Sequence, residues 1–350
     1  MKDSEKRICI AWGGMPAYAA CAVRQFVLDS KMPVRIISTV SDVPKTCEDE
    51  LGGVKIDWVK DEDSRSIVDV LGGVPDVLFV SGWFIPSFNR FADEVRARGG
   101  RVIAAVDNRD PGAMRGLLWS IYFMLKIRRR FNGFIVPGKS AERLLLRGCA
   151  GRAHVKTGLY TADPDVFTAG GLITSRERKI IYVGRYDERK NIIPFIRVFC
   201  EFHQVHPEWK LECYGQGPLL DEMKIECDGL RIFPFLHSVE LAARYREARV
   251  FVLPSVEDHW GVVVHEAALS GCALLLSNKI GAAEDLLGRR NGMAFDPFDM
   301  RSMRRALEAM VDWTDERWQE ASRQSIEMAG RISPRNFSRN LQELVMDVRK

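Results

Sequence analysis

The stretch Phe251-Val-Leu-Pro-Ser-Val-Glu-Asp-His-Trp-Gly-Val-Val-Val-His-Glu-Ala-Ala-Leu-Ser-Gly271 constrains this chain more than any other. It opens as an apolar strand that runs straight into Pro254 and Ser255. It then passes two acids and Trp260-Gly261, and closes as an apolar run carrying Glu266. A strand without polar alternation must be covered on both faces, which is the habit of parallel sheets flanked by helices. Ligands of such sheets bind outside the carboxyl ends of the strands, where this acidic turn would lie. Glu266 adds a second constraint, because an acid in so apolar a run needs a partner to justify its burial.

The same rhythm runs through two halves of the chain. In the first half, strands are expected at 7–11, 34–39, 76–80, 102–106 and 133–136, with helices at 17–28, 87–98, 114–129 and 140–146. The stretch 158–175, with Asp163-Pro164 and Gly170-Gly171, is irregular and marks a boundary. In the second half, strands are expected at 179–183, 211–214, 250–253 and 273–277. Helices are expected at 192–203, 219–224, 239–248, 262–269, 300–310 and 336–348. Ile192, Phe195, Ile196 and Phe199 repeat at the spacing of one apolar helix face. The expected class is α/β, with two doubly wound, Rossmann-like domains at 1–165 and 166–332 facing each other across a cleft. A C-terminal helix at 333–350 is expected to pack back on the first domain.

Composition narrows the function. A chain of 350 residues, 46% hydrophobic and 28% charged, has the profile of a globular protein. A formal charge of +4 is too mild to argue for nucleic acid but suits anionic ligands or an anionic membrane surface. The eight cysteines show no C-x-x-C pair and read as free thiols of a reducing compartment. The six histidines form no zinc motif, so no metal is expected. The charged N-terminus lacks the apolar core of a signal peptide, so a cytoplasmic location is expected. The apolar run 117–125 is too short to span a membrane and is followed by Lys126, Arg128, Arg129 and Arg130. It reads either as a core helix with a basic last turn or as a peripheral contact with the cytoplasmic face of a membrane.

Several turns at strand ends could do chemistry. Gly184-Arg185 to Lys190-Asn191 joins a strand to a helix; Asn191 is a good N-cap, and the two cations with free helix amides would suit a diphosphate. A solvated charged turn is the plainer reading. Gly215-Gln-Gly-Pro218 lets backbone approach a ligand closely, or is an ordinary turn. Glu257 and Asp258 either cap the following helix or, with Glu266, hold sugar hydroxyls. Glu284, after Gly281, caps or faces the cleft. Gly13-Gly14 is a loose phosphate-loop candidate without a dinucleotide fingerprint, and Asp107-Asn108 ends another strand.

Taken in order, the second-half motifs resemble the retaining nucleotide-sugar glycosyltransferases of family 4, which have the GT-B fold. Gly184, Arg185 and Lys190 match a phosphate turn, and Gly215, Gly217 and Pro218 match a Gly-x-Gly-Pro turn. Pro254, Ser255, Asp258, Glu266 and Ala267 match a Pro-Ser, acid, Glu-Ala pattern, followed by Gly281 and Glu284. The resemblance implies sugar transfer from a nucleoside diphosphate-sugar, metal-independent and with retention, to a polysaccharide, lipid-linked or other cell-envelope acceptor. It makes Arg185, Lys190, Asp258 and Glu266 the catalytic set. Gly13, Gly14, Gly184, Gly215, Gly217, Phe235, Leu236, Trp260, Gly261 and Glu284 become donor-binding, with no cofactor beyond the donor. The chain departs from the pattern at Asp258, where a glutamate is usual, with Glu257 beside it. It departs again at His237, and at Asp107-Asn108, which stand where an acceptor-side histidine is usual. Those departures motivate an alternative, a GT-B-shaped carbohydrate-binding or partner subunit without catalysis. A GT-B epimerase is a third reading.

Overall fold

The computed structural model describes residues 6–39, 53–59, 64–82, 84–148 and 154–346. Cys47 and Cys149 lie outside the described residues. The other six cysteines are free; Cys9, Cys21, Cys213 and Cys272 are buried, whereas Cys200 and Cys227 are half-buried. The chain divides into two compact units, Met1–Thr161 with Ser333–Lys350, and Ala162–Ile332.

In the first unit the elements follow as β1 (Ile8–Trp12), α1 (Ala17–Asp29), β2 (Val34–Thr39), β3 (Ile56–Val59), α2 (Ser64–Leu71) and β4 (Val77–Ser81). Then come α3 (Pro86–Ala97), β5 (Arg101–Ala105), α4 (Ala113–Tyr122), β6 (Gly133–Val136), α5 (Lys139–Gly148) and β7 (Val155–Thr157). The strands form one parallel sheet in the order β3-β2-β1-β4-β5-β6-β7. Successive residues of a strand point to opposite faces, and both faces are filled. Cys9, Ala11, Leu78 and Val80 meet Phe88, Phe91 and Val95 of α3. Ile8, Ile10, Trp12, Val77 and Phe79 meet Val23 and Phe26 of α1, together with Phe337 and Leu341. The last two belong to the final helix (Pro334–Met346), which packs along α1.

The second unit runs β8 (Glu177–Val183), α6 (Ile192–Val205), β9 (Lys210–Tyr214), β10 (Leu230–Phe233), α7 (Ser238–Glu247) and β11 (Ala248–Leu253). It continues with α8 (Val262–Leu269), β12 (Ala273–Ser277), α9 (Ala283–Leu286), β13 (Gly292–Phe295), α10 (Met300–Val311) and α11 (Asp315–Gly330). The final helix is α12. This sheet is also parallel, in the order β10-β9-β8-β11-β12-β13. The apolar face read from α6 is buried as expected, through Ile192, Phe195, Ile196 and Phe199.

Three sequence expectations need correction. No helix forms over 219–224. The Leu219 amide is spent on the carbonyl of Tyr186, and the segment closes as successive turns. The helix expected over 114–129 ends at Tyr122, widens to a π-turn at Phe123–Ile127 and tightens to a 3-10 turn at Arg128–Arg130. Stacking of Trp119 on Phe123, and of Phe123 near Phe134, pins the buried side through that change of pitch. Strands β3, β7, β10 and β13, and helices α2 and α11, were not foreseen. The four strands are short, at three or four residues each, and α11 is strongly polar apart from Trp318, Ile326, Met328 and a few small residues. Among the described residues no helix is long and apolar enough to cross a membrane.

Candidate functional site

Strand order fixes where the second unit can bind a ligand. From β8 the chain winds outward through β9 to β10, then returns to the other side of β8 as β11. The crevice between the carboxyl ends of β8 and β11 is therefore the switch point at which open α/β sheets bind ligands. Gly184 follows β8, and Pro254-Ser255 follows β11, so two of the sequence motifs meet there.

Side chains and backbone lock the two loops together. Lys190 Nζ donates to Asp258 Oδ2 at 2.5 Å, and both side chains are nearly buried. The Val256 amide donates to the carbonyl of Arg189 at 3.0 Å. Asn191 does not cap α6 through its side chain; its Nδ2 donates to the carbonyls of Pro254 and Pro297. That corrects the N-cap expectation and explains the left-handed backbone of Asn191 (φ 54°), the one such non-glycine among the described residues. The cap of the short turn before α6 is Asp187, which accepts from the Lys190 amide. Arg185 is exposed, with only a loose ion pair to Asp187 at 3.4 Å, so its guanidinium is free to turn toward a ligand.

Glycines bring in the neighbouring loops. A Cβ on Gly215 would stand 2.0 Å from the Gly184 carbonyl oxygen, and one on Gly217 would stand 2.3 Å from that of Tyr186. The loop after β9 can therefore lie on the Gly184 turn only with glycine at both places. On the other side, the Asp258 amide donates to the Lys279 carbonyl, the Gly281 amide to the Asp258 carbonyl, and the Ala282 amide to the Trp260 carbonyl. A Cβ on Gly281 would meet the His259 carbonyl oxygen at 1.9 Å. Four loops at one edge of the sheet form a single hydrogen-bonded platform.

Helix α8 rises from this platform. Gly261 precedes it in the left-handed region (φ 86°); the Val264 amide donates to the Gly261 carbonyl at 2.9 Å, and among the described residues the amides of Val262 and Val263 have no partner. Two buried polar atoms beside the turn, Ser255 Oγ and Trp260 Nε1, have no hydrogen-bond partner among the described residues. Leaving such groups unpaired costs about 1–3 kcal/mol each. Glu266, in α8, accepts from Tyr245 Oη at 3.1 Å. Burial among apolar neighbours pushes its pKa up to about 7, and the tyrosine hydrogen bond opposes that rise. Tyr245 and His265 were missed in the sequence. A tyrosine on the buried face of α7 was the available signal, since its hydroxyl must find an acceptor. His265 is buried; its Nδ1 accepts from the Ala162 amide, so its Nε2 carries the proton and donates to the Ala329 carbonyl. Burial lowers its pKa to about 4 and keeps it neutral.

This platform coincides with the match to known proteins. Residues 167–325 match the family described as glycosyl transferases group 1. The match spans most of the second unit. The glycogen synthase of Mycobacterium tuberculosis is 28% identical over 140 residues, covering 38% of this chain and 34% of that protein. The chain thus spans about a third of the length of this curated relative. Among solved structures, Anabaena Alr3699/HepE in complex with UDP and glucose superposes with a TM-score of 0.75 at 10% identity, over 97% of this chain and 98% of that one. The trehalose-6-phosphate protein from E. coli bound with UDP-2-fluoro glucose gives 0.73 at 11% identity, over 98% and 100%. The fold is GT-B.

The remaining candidate positions of the second unit lie along the same edge of its sheet. Phe235 and Leu236 follow β10; Phe235 is exposed and sits edge-on to His237 at 5.5 Å. Glu284 lies in the first turn of α9 and is exposed. Four candidates belong to the first unit, which has its own switch point between β1 and β4. There the Gly13 amide donates to the Ser81 carbonyl, and the Met15 amide to Ser38 Oγ. Two of the three amides in the Gly13-Gly14 turn are thus already engaged. Asp107, after β5, accepts from Tyr160 Oη at 3.0 Å, and Asn108 beside it is half-buried.

Proposed function

We propose that the chain is a glycosyltransferase that moves a sugar from a nucleoside diphosphate donor to a hydroxyl of a polysaccharide, lipid-linked or other cell-envelope acceptor. The observation that carries this reading is the convergence of cations, close-packed glycines and carboxylates at the switch point of the second sheet. As the bond from the anomeric carbon to the diphosphate breaks, the electron pair stays on the phosphate oxygen. Arg185, Lys190 and the amides of Val262 and Val263 at the start of α8 would balance that growing charge, so the reading needs no metal ion. The acceptor hydroxyl oxygen forms the new bond, and its proton would pass to the departing diphosphate oxygen that took the electron pair. Glu266 would hold the ribose hydroxyls and Asp258 the sugar hydroxyls, with retention taken from the family resemblance. Ser255 Oγ and Trp260 Nε1 are further groups that a donor would satisfy. Gly13, Gly14, Phe235, Leu236, Trp260, Gly261 and Glu284 are proposed donor contacts, and Asp107 and Asn108 acceptor-side ones. The neighbours in complex with UDP and UDP-sugars make a uridine diphosphate sugar the first donor to try. A site of action on the cytoplasmic face of a membrane fits a lipid-linked acceptor.

The Lys190–Asp258 pair is closed, so a donor phosphate must share or displace Asp258 to reach the lysine. Titration calorimetry with UDP-, GDP-, ADP- and dTDP-sugars tests the site, using the wild type and Arg185→Ala/Lys190→Ala. One donor binding to the wild type and not to the double variant is expected. If no donor binds the wild type, or the double variant binds equally, the reading fails.

A further inference from the structure

Helix α4 is apolar on two opposite sides. Its inner side carries Gly116 and Ser120, buried, and Trp119 stacks there on buried Phe123. Its outer side presents Met114 (79% exposed), Leu117, Leu118, Ile121 and Tyr122, and the π-turn continues the stripe with Met124 and Leu125 (63% exposed). At about 100° per residue, Met114, Leu117, Leu118 and Ile121 fall within an arc of about 100° on one face of the helix. Exposed apolar residues are ordinary when scattered; a contiguous stripe of seven on one short segment marks a contact surface.

Charge identifies the occupant. Lys126, Arg128 and Arg129 follow the stripe, all exposed, and among the described residues none of the three makes an ion pair. Arg130 is paired with Asp93 at 2.7 Å and is partly neutralised. From 111 to 131 the sequence contains no acid. A second copy docking through a twofold axis would set this patch against itself, cations beside cations, and the carboxylate beside it, Asp93, is already shared between Arg130 and Arg96. An open groove of about 390 Å³, lined by Phe84, Tyr122, Lys126, Arg130 and Phe131 among others, joins the stripe to the basic turn. Phe84 beside it is 75% exposed.

We propose that the outer face of α4, with the turns that follow it, docks the first unit onto an anionic lipid bilayer. The apolar stripe enters the headgroup–acyl boundary, and Lys126, Arg128 and Arg129 lie at the level of the lipid phosphates. This deepens the peripheral-membrane part of the proposed function and is independent of the donor site, because it concerns binding without any sugar nucleotide.

Cosedimentation of the full chain with vesicles tests it. One set is phosphatidylglycerol and phosphatidylcholine in equal parts; the other is phosphatidylcholine alone. The wild type should partition onto the anionic set at least about tenfold more strongly, with the preference shrinking as salt rises. Arg128→Glu/Arg129→Glu should lower anionic partitioning by about 30-fold or more, the effect of losing two cations at roughly 1 kcal/mol each. Leu118→Glu/Leu125→Glu should abolish sedimentation. Both variants change exposed side chains, and unchanged melting temperatures and unchanged donor binding by calorimetry would confirm the fold. The proposal is overturned if the wild type fails to sediment, if it binds both vesicle sets equally, or if the two double variants behave as wild type. It is also overturned if light scattering shows a dimer that Leu118→Glu/Leu125→Glu dissolves, since the face would then be covered by a second copy.

Discussion

Replacing Glu266 with glutamine separates what this side chain costs the fold from what it does for a ligand. In the folded protein its pKa rises from 4.5 to about 7, chiefly through burial. Unfolded, it titrates near its ordinary value. Between those two pH values the folded state holds a proton that the unfolded state has lost, so stability falls as pH rises. The stabilising contribution of the protonated form is complete below about pH 4.5 and is gone above about pH 7. At about 1.36 kcal/mol per pH unit, the gap sets a ceiling of about 3 kcal/mol. The residue keeps some contact with solvent, which reduces the figure to about 1–2 kcal/mol. Glutamine keeps the shape, still accepts from Tyr245 and never ionises. Thermal melts of the full chain should therefore place Glu266→Gln above wild type by about 2–8 °C at pH 8.5, at roughly 2–4 °C per kcal/mol. At pH 4.5 the two should coincide. Donor binding by calorimetry at pH 8 should fall at least about tenfold in the same variant, since a charged acceptor of hydroxyl hydrogen bonds is lost. Equal melting at both pH values, or a less stable variant at pH 8.5, would refute the claim that a strained carboxylate is held at this position.

The platform makes further outcomes measurable. Gly281→Ala puts a Cβ against the His259 backbone and should cost about 1–3 kcal/mol in urea unfolding, with donor affinity reduced as well. In a double-mutant cycle, Lys190→Ala and Asp258→Ala should couple by about 1–3 kcal/mol in stability, because each single change leaves the other nearly buried charge without its partner. Arg185→Ala should shift stability by less than about 0.5 kcal/mol, given its exposure, while donor affinity drops. His265 should remain neutral to below about pH 5 in a nitrogen-15 NMR titration. Its lowered pKa means that the stability it supports is full above pH 6.5 and is lost as pH falls toward 4. A titration midpoint near 6.5 would contradict its hydrogen bonding to Ala162 and Ala329.

The sequence by itself determined the class of fold and the stations of the candidate site. Strands such as Phe251 to Leu253, apolar at every position, can exist only inside a parallel sheet covered on both faces. Glycines and charged residues placed directly after strands mark the edge where such sheets bind ligands. That much follows from local pattern, since burial and turn geometry act over a few residues. Tertiary structure alone decided the partnerships. Lys190 and Asp258 are far apart in the chain and meet because β8 and β11 are neighbours. Asn191 gives up its cap to hold Pro254 and Pro297, and Leu219 gives its amide to Tyr186 in place of a helix. Glu266 finds Tyr245 across two elements. The outer stripe of α4 shows the same division: its apolar residues are plain in the sequence, but which side faces the sheet and which stays bare is set by the packing of Trp119 and Phe123. Pattern reports what each segment prefers; which groups then meet depends on long-range packing, which no local window contains.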